Sequence, residues 1–297
     1  MRTPPPIGIV VLNYRNHADT VECVRSLERV DYPDFRIFIV DNDSQNGSEE
    51  ALREACAAHR VIQSGANLGY ARGNNVGIRA ALEAGSEWVV VLNNDTIVPP
   101  DFLTEIARYG ELDESAGVLG ALIVHEDGEV DRMSARRIPP LAEIFWNRGL
   151  GKRLGSSRAL ERRAYYAGPE EFEAPTTVDI VSGSCMALRR EFLEEIGLLD
   201  EETFLFWEEF ILASKVCASR FRTVLLPQLR VVHKGGRSVS SIGDLAARSY
   251  LNSLDHYLKG YRRCGWLTRR LVCAGPALLF WVGRLKRKLA GGGAAQG

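Results

Sequence analysis

The stretch VVVLNNDTIVP at residues 89–99 joins an apolar run to a polar end. Trp88–Leu92 has the length and the β-branched content of a buried strand. Asn93, Asn94 and Asp95 follow that strand directly. A carboxylate with a second oxygen donor two residues earlier can hold a divalent cation together with a diphosphate, because hard cations prefer oxygen ligands. Taken alone, the tripeptide is also typical of an ordinary turn.

Strands and helices alternate around this stretch as far as residue 109. Apolar runs predict strands at Ile7–Leu12, Phe35–Val40, Arg60–Gln63 and Trp88–Leu92. Helical spacing of apolar residues predicts helices at Ala18–Arg29, Glu49–His59, Asn74–Ala84 and Asp101–Tyr109. This alternation is typical of βαβ units with right-handed crossovers. The sequence therefore predicts an α/β fold with a Rossmann-like, mostly parallel central sheet flanked by helices, and ligands of such sheets bind beyond the carboxyl ends of the strands.

Polar residues follow each of these strands. The four clusters are 13–16, 41–44, 67–75 and 93–95. Each cluster by itself is typical of a turn or a helix cap, because Asn, Asp, Ser and Gly favour those backbone conformations. Four clusters at the same edge of one sheet favour a polar crevice that accepts an anion.

Composition narrows the classes of function and location. The chain has 297 residues, of which 45% are hydrophobic, and a formal net charge of -1. That balance excludes a general nucleic-acid binder, which would be strongly basic. The six cysteines are scattered without a C-x-x-C pair, a pattern that fits a reducing compartment. Prolines interrupt the N-terminal residues and no segment reaches the ~20 apolar residues of a membrane span, so we expect a cytoplasmic protein.

The pattern weakens between Leu112 and Thr177. Residues 133–175 are rich in Arg, Gly and Pro and are interpreted as a long functional loop or lid. The basic residues of this segment could meet a diphosphate or an anionic acceptor, or could belong to a solvated loop: Arg148, Lys152, Arg153 and Arg158.

The C-terminal segment combines apolar and basic residues. Leu271–Gly283 is apolar, lies between two basic clusters and is too short to span a bilayer. It is either a helix that contacts a membrane surface through residues 262–288 or a core helix with a solvated basic end. We divide the chain into residues 1–240, with a nucleotide half (1–110) and an acceptor half (111–240), and a helical extension at residues 241–297.

Seven motifs in order resemble family 2 glycosyltransferases of the GT-A fold, and within them the bacterial rhamnosyltransferase-like branch. The motifs are IVVLNYRNHADTVECVRSL (9–27), FIVDNDSQNGS (38–48), ANLGYARGNNVGI (66–78), VVVLNNDTIVP (89–99), VDIVSGSCMALRR (178–190), FLFWEE (204–209) and VVHKGG (231–236). The resemblance covers roughly Ile7 to Ser238. It implies inverting transfer of a sugar, such as rhamnose from dTDP-rhamnose or a UDP-linked hexose, to an acceptor hydroxyl of a glycan or lipid-linked glycan in cell-surface polysaccharide synthesis.

The same resemblance assigns roles to individual residues. It places the nucleotide-sugar donor against Asn13, Asp41, Asn67, Arg72, Asn74, Asn93 and Asn94. It gives a divalent cation, Mg²⁺ or Mn²⁺, to Asp95 and His233, and it puts the acceptor beside Gly183, Ser184 and Trp207.

The general base departs from the family pattern. The family has an E-D pair that is often followed by another acid, whereas this chain has Glu208-Glu209 and Ile211. Glu209 lies where the base is expected, with a side chain one methylene longer than Asp. A misplacement of about an ångström can cost on the order of a hundredfold in rate. The chain is then either an active variant with a shifted acceptor geometry or a weakened enzyme.

The sequence leaves three alternative functions to compare. A nucleotidyltransferase needs a glycine-rich phosphate loop near the N-terminus, and IVVLNYRN has none after Gly8. A dinucleotide dehydrogenase is disfavoured because no G-x-G-x-x-G follows the first strand. A catalytically weak homologue that binds donor within a complex is motivated by Glu209 and Ile211.

Overall fold

The computed structural model describes residues 3–147, 157–166, 168, 172–235 and 243–291. Arg148, Lys152 and Arg153, for which the sequence leaves open contact with an anion or a solvated loop, lie outside the described residues. Arg158 begins a short helix.

The described strands are β1 (Ile7–Asn13), β2 (Phe35–Asp41), β3 (Arg60–Gln63), β4 (Trp88–Asn93), β5 (Thr96–Ile97), β6 (Ala116–Val124), β7 (Ala135–Arg136), β8 (Thr176–Val178), β9 (Ile180–Val181), β10 (Cys185–Arg189) and β11 (Arg222–His233). The described helices are α1 (His17–Leu27), α2 (Ser48–Ala55), α3 (Gly69–Glu83), α4 (Phe102–Leu112), α5 (Leu141–Phe145), α6 (Arg158–Ala164), α7 (Arg190–Ile196), α8 (Glu208–Cys217), α9 (Gly243–Gly260) and α10 (Trp266–Gly291).

The central sheet has the strand order β3-β2-β1-β4-β10-β6-β11-β5. Strands β1 to β4 are parallel, β10 runs antiparallel between β4 and β6, and β11 is parallel to β6. One apolar cluster on the sheet contains Leu27, Leu52 and Phe102 from α1, α2 and α4, and a second contains Ile78 and Phe192 from α3 and α7. The predicted α/β fold is confirmed.

The register of the parallel strands brings their polar ends together. Asn13 pairs with Asp41, Asp41 pairs with Gln63, and Leu12 pairs with Asn93. The polar clusters after β1, β2 and β4 therefore share one edge of the sheet, as the sequence predicts.

Helix α3 begins five residues earlier than predicted, at Gly69 instead of Asn74. Gly69 has a φ of 78°, and a side chain there would collide with the Phe204 carbonyl. The Tyr70 amide donates a hydrogen bond of 2.8 Å to that carbonyl, so contact with a distant segment fixes the first turn. Arg72, which the sequence places in the polar cluster before the helix, consequently lies on α3, and Asn74 lies inside the helix instead of at its start.

The weakly patterned region between Leu112 and Thr177 contains strand β6, which the sequence does not predict. Every residue of Ala116–Val124 is buried. Its partners β10 and β11 lie more than sixty residues further along the chain, so local periodicity could not reveal them. The segment interpreted as one long loop also contains β7, α5 and α6.

The C-terminal helices pack against the segment that precedes α8. Leu254, Tyr257 and Leu258 of α9 form an apolar cluster with Trp207 and Phe210. Among the described residues, no helix has the length and apolarity needed to cross a membrane. The division of the chain at residue 240 stays a prediction.

Candidate active site

The first part of the site is a buried hydrogen-bond network at the ends of β1 and β2. Asn13 donates to the Asp41 carboxylate at 2.7 Å, and Gln63 and the Ser44 amide donate to the same carboxylate at 3.2 and 3.0 Å. Asn13 and Asp41 are fully buried. In this structure the two residues therefore form the floor beneath the expected nucleotide position rather than its exposed lining.

The loops above this floor adopt an unusual backbone conformation. Arg15, Asp43 and Gln45 have φ values of 61°, 56° and 49°, a region that non-glycine residues seldom occupy. The Arg15 amide donates to the Ser44 hydroxyl at 2.8 Å, which ties the two loops together. Such strain concentrates at ligand sites when the surroundings enforce it. A cavity of about 310 Å³ lies alongside and is lined by Asp41, Asp43, Gln45, Gly47, Glu49, Glu50 and Gln63.

The expected donor residues near α3 mainly hold neighbouring segments. Asn67 accepts hydrogen bonds from Asn42 at 3.1 Å and from the Gly69 amide at 3.2 Å. Arg72 donates to the Glu201 carbonyl at 2.7 Å, and Asn74 donates to the Tyr70 carbonyl at 2.9 Å. Among the described residues, the buried Oδ1 atom of Asn74 meets no donor.

The three residues at the end of β4, Asn93, Asn94 and Asp95, lie in different environments. Asn94 is buried and donates to the Asn16 carbonyl at 3.2 Å and to Thr20 at 3.0 Å, so it joins β4 to α1. The Asn93 amide donates to the Ser184 carbonyl at 3.0 Å, which links this edge to the segment before β10. Only Asp95 combines a carboxylate with partial exposure, at 13% of its side chain.

Asp95 and His233 meet as the sequence predicts. Strand β5 pairs with the end of β11, and the Lys234 amide donates to the Asp95 carbonyl at 3.0 Å. Nε2 of His233 lies 3.1 Å from Oδ1 of Asp95, yet the two atoms are not in hydrogen-bond geometry. Adjacent ligands of an octahedral ion at about 2.1 Å lie about 3 Å apart. The 3.1 Å distance is that of an ion pair and also that of two ligands that share one cation.

Among the described residues, no group of three His, Cys, Asp or Glu side chains has the geometry of a complete metal site. A divalent cation at Asp95 and His233 would need most of its ligands from elsewhere. Sites that bind a cation together with a nucleotide commonly have few protein ligands, because substrate phosphates and water complete the coordination.

Both carboxylate oxygens of Glu209 have a partner, one through a hydrogen bond and the other through an ion pair that lacks hydrogen-bond geometry. Its Oε1 accepts a hydrogen bond of 2.8 Å from the Gly183 amide, and its Oε2 forms an ion pair of 3.0 Å with Nη2 of Arg136. Tyr70 donates to the Gly183 carbonyl at 2.6 Å from the other side. The side chain of Glu209 is 23% exposed, so the fixed carboxylate still reaches solvent.

Arg136 is the residue that the sequence did not reveal. It lies on β7, its side chain is 1% exposed, and its guanidinium lies 5.0 Å from the centre of the Phe210 ring. A buried guanidinium needs a carboxylate partner, and Glu209 provides it. The sequence does not distinguish Arg136 from the other arginines of a segment interpreted as a loop, so its burial could not be predicted. Pairing of β7 with β9 (Arg136 with Ile180) places it here.

Glu208 differs from its neighbour in environment. It is buried, and burial together with the adjacent Glu209 charge raises its pKa to about 8. Among the described residues, its Oε1 meets no hydrogen-bond donor. Glu208 is therefore mostly protonated at neutral pH, which disfavours it as a general base, whereas the Glu209 carboxylate is partly exposed to solvent.

Trp207, two residues before Glu209, is buried against helix α9. Its side chain is 2% exposed and stacks on Tyr257 with ring centres 5.3 Å apart, so in this structure it is not placed to contact an acceptor. Phe206 and Trp207 have φ values of 70° and 71°. This strained pair turns the chain into α8 and is stabilised by the aromatic contacts with α9.

Glu208 gives a stability prediction. Because its folded pKa is raised from 4.5 to about 8, its contribution to stability is complete below pH 4.5 and is lost as the pH rises through 8. Relative to Glu208→Gln, the wild-type free energy of unfolding should fall by about 4 kcal/mol between pH 5 and pH 9. Urea denaturation of both proteins across this range measures the difference. If the difference in free energy of unfolding between the wild type and Glu208→Gln did not vary with pH, Glu208 would be ionised in the folded protein.

Comparison with known proteins identifies the family. The sequence model of glycosyl transferase family 2 matches residues 8–197. The chain belongs to this family. It is a nucleotide-sugar glycosyltransferase of glycan synthesis, and the resemblance based on the motifs is confirmed. Family membership decides against the nucleotidyltransferase and dehydrogenase alternatives.

Relatives of this family 2 enzyme include rhamnosyltransferases. It is 27% identical over 248 residues to the N-acetylglucosaminyl-diphospho-decaprenol L-rhamnosyltransferase of Mycobacterium tuberculosis, a match that covers 78% of this chain and 77% of the relative. It is 24% identical over 208 residues to the dTDP-rhamnosyl transferase RfbF of Shigella flexneri, covering 70% of this chain and 62% of the relative. The rhamnosyltransferase-like character expected from the sequence is confirmed at this level.

Solved structures show the same fold. A mannosyltransferase from Pyrobaculum calidifontis, determined with GDP-Man and Mn²⁺, has a TM-score of 0.58 at 16% identity and covers 99% of this chain and 77% of its own. Residues 1-349 of TarS from S. aureus, determined with UDP-GlcNAc, have a TM-score of 0.55 at 15% identity and cover 91% of this chain and 70% of their own. The GT-A fold is therefore confirmed for the family 2 enzyme.

Proposed function

We propose that this enzyme transfers rhamnose from dTDP-rhamnose, with inversion, to a hydroxyl of a lipid-linked glycan. One observation carries the proposal: the Glu209 carboxylate is fixed on the Gly183 amide. The next residue, Ser184, accepts a hydrogen bond at its carbonyl from the Asn93 amide, two residues before Asp95. A continuous run of contacts thus connects a solvent-reaching base with the pair Asp95 and His233.

Glu209 is the proposed general base. It removes the proton of the acceptor hydroxyl as the oxygen forms its bond to the anomeric carbon, and the bond to the nucleoside diphosphate breaks on the opposite face. One displacement inverts the configuration. Arg136 and Gly183 fix the position of the carboxylate, and such fixation is needed because rates fall steeply when reacting groups are displaced.

Asp95 and His233 are the proposed cation ligands, with the donor diphosphate as the main remaining partner. A bound divalent cation would neutralise the charge that develops on the leaving diphosphate. The residues fit such an ion, because His233 Nε2 is buried, has no hydrogen-bond partner among the described residues and lies 3.1 Å from Oδ1 of Asp95. We favour Mn²⁺ over Mg²⁺, since Mg²⁺ prefers a shell of oxygen ligands and imidazole suits transition metals better.

The names of the relatives support the proposed donor and acceptor. One acts on a lipid-linked N-acetylglucosaminyl diphosphate, and another is named a dTDP-rhamnosyl transferase. We propose a role in cell-surface polysaccharide synthesis at the cytoplasmic face of the membrane. Six free cysteines support a reducing compartment.

A donor panel tests the proposed function. With Mn²⁺ present, dTDP-rhamnose should raise the melting temperature more than UDP-GlcNAc or GDP-mannose, because only a ligand bound by the native state stabilises it by mass action. Addition of a polyprenyl-diphosphate N-acetylglucosamine acceptor should then release dTDP. Binding of a donor without turnover on any acceptor would favour the catalytically weak homologue. Turnover with a different nucleotide sugar would correct the donor and keep the enzyme class.

A further inference from the structure

Helix α10 exposes an apolar stripe. Leu267, Leu271, Ala274, Leu278 and Trp281, which we call the apolar stripe, follow one another at intervals of four and three residues. Its leucines and tryptophan are between 43% and 64% exposed. Residues at this spacing lie on one face of a helix, so their exposure forms one continuous surface.

The opposite face of α10 attaches the helix to the enzyme. Val272 is 4% exposed, and Gly275 and Pro276 are buried. Arg269 forms an ion pair of 2.5 Å with Asp255 of α9. The helix is thus packed on one side, and the exposed apolar stripe is its second, separate surface. Contiguous exposed apolar surface of this kind marks an interaction site.

Charge is strongly segregated toward this part of the chain. Asp255 is the last of 38 acidic residues, although the chain as a whole has a net charge of -1. Eight basic residues follow between positions 262 and 288: Arg262, Arg263, Arg269, Arg270, Arg284, Lys286, Arg287 and Lys288. Basic residues next to an apolar helix face complement an anionic lipid surface. A second copy of the same helix would instead bring like charges together.

Tryptophans lie at both ends of the described stripe. Trp281 belongs to it, and Trp266 precedes it with 63% of its surface exposed. Arg270 lies over the Trp266 ring at 5.6 Å. Tryptophan and arginine favour the level of the lipid headgroups, because each combines an apolar body with a polar tip.

Aromatic contacts connect α10 with the residues that precede the proposed base. Phe280 contacts Tyr250 of α9 at 5.7 Å between ring centres, and Tyr250 contacts Trp207 at 5.6 Å. Trp207 is followed by Glu208 and Glu209. A lipid surface bound to α10 would therefore be connected, through these aromatic contacts, to the segment that carries the proposed base.

We propose that α10 is an interfacial helix that docks this enzyme onto an anionic lipid bilayer through the apolar stripe. The stripe enters the boundary between headgroups and acyl chains, and the excess positive charge of residues 262–288 favours an anionic surface. Docking holds the acceptor side of the enzyme at the surface in which a lipid-linked acceptor is anchored. Vesicle binding does not depend on sugar transfer, so a failure of one proposal leaves the other unaffected.

Co-sedimentation of the full chain with vesicles tests the docking. The double variant Leu271→Ser/Leu278→Ser keeps every charge and removes apolar surface from the stripe. Its partitioning onto vesicles with phosphatidylglycerol should fall by at least about a hundredfold, because each buried methylene is worth roughly fourfold. Leu112→Ser is the matched control, since Leu112 is 72% exposed at the end of α4. It should bind as the wild type does, and phosphatidylcholine vesicles should bind all three proteins weakly.

Three results would overturn the docking proposal. One is a wild type that ignores anionic vesicles, and another is a double variant that binds them as tightly as the wild type. The third is a wild-type dimer that dissociates in the double variant, which would assign the stripe to a second copy of the chain. The single variant Trp281→Ala tests the stripe independently of the two leucines. Circular dichroism verifies that this variant and the double variant stay folded.

Discussion

Transfer activity is expected to fall by about a hundred- to ten-thousandfold when Glu209 is replaced by Gln, the usual range for loss of a general base. Gln keeps the shape of the side chain and can still accept the Gly183 hydrogen bond, but it cannot take the acceptor's proton. Donor binding should stay unchanged, because the predicted donor residues lie on other segments. The turnover number from released dTDP and the donor affinity from calorimetry measure the two quantities separately.

The neighbouring Glu208 supplies the matched control for this variant. Its raised pKa of about 8 means that it already carries a proton at neutral pH, so Gln resembles the form present. Glu208→Gln should therefore retain transfer at pH 7. Full activity of Glu209→Gln combined with loss of activity in Glu208→Gln would move the base to Glu208. Equal activity in both variants would place it on another residue.

The glutamate at position 209 fits its surroundings. A side chain added at Gly183 would lie 2.9 Å from Oε1 of Glu209, so the absent side chain provides the space that the carboxylate occupies. Arg136 meets the other oxygen at 3.0 Å. These contacts favour an active variant with its own acceptor geometry over a weakened enzyme. Ile211, where the family often has a second acid, is 1% exposed among apolar residues, so an acid there would be buried without water.

The sequence was most informative at the ends of the parallel strands. A continuous apolar run followed at once by a polar cluster identifies both a strand and its carboxyl end, and parallel register then brings Asn13, Asp41 and Asn93 to one edge. The meeting of Asp95 with His233 came from the motif order alone, since the two residues are far apart in the chain. Local patterns and family motifs were sufficient for these features.

Features that depend on distant contacts could not be read from the sequence. The start of α3 is set by the Phe204 carbonyl, and the burial of Arg136 is set by the pairing of β7 with β9. Trp207 was expected beside the acceptor, yet α9 covers it from a segment fifty residues later. In each case a partner remote in sequence, rather than the local residue pattern, determines the position.

Replacement of Asp95 by Ala should remove the cation-dependent part of nucleotide binding. In the wild type, Mn²⁺ should tighten the binding of dTDP, because a cation held by Asp95 would neutralise charge on the diphosphate. Without that carboxylate, Mn²⁺ should no longer increase the affinity for dTDP. Transfer should slow by on the order of a hundredfold or more, because charge stabilisation by a cation is worth several kcal/mol. Calorimetric titration of dTDP with and without Mn²⁺ measures the gain directly.

Two further variants, Asp101→Ala and His233→Ala, make this test specific. Asp101→Ala removes an exposed carboxylate that makes no side-chain hydrogen bond to its own helix, so it should keep the full gain from Mn²⁺. His233→Ala should lose part of the gain, and its effect should not add to that of Asp95→Ala, because both residues would hold one ion. An undiminished gain in Asp95→Ala would refute the cation site, whereas additive losses would separate the roles of the two residues. The 3.1 Å spacing of Oδ1 and Nε2 without a hydrogen bond between them predicts the non-additive result.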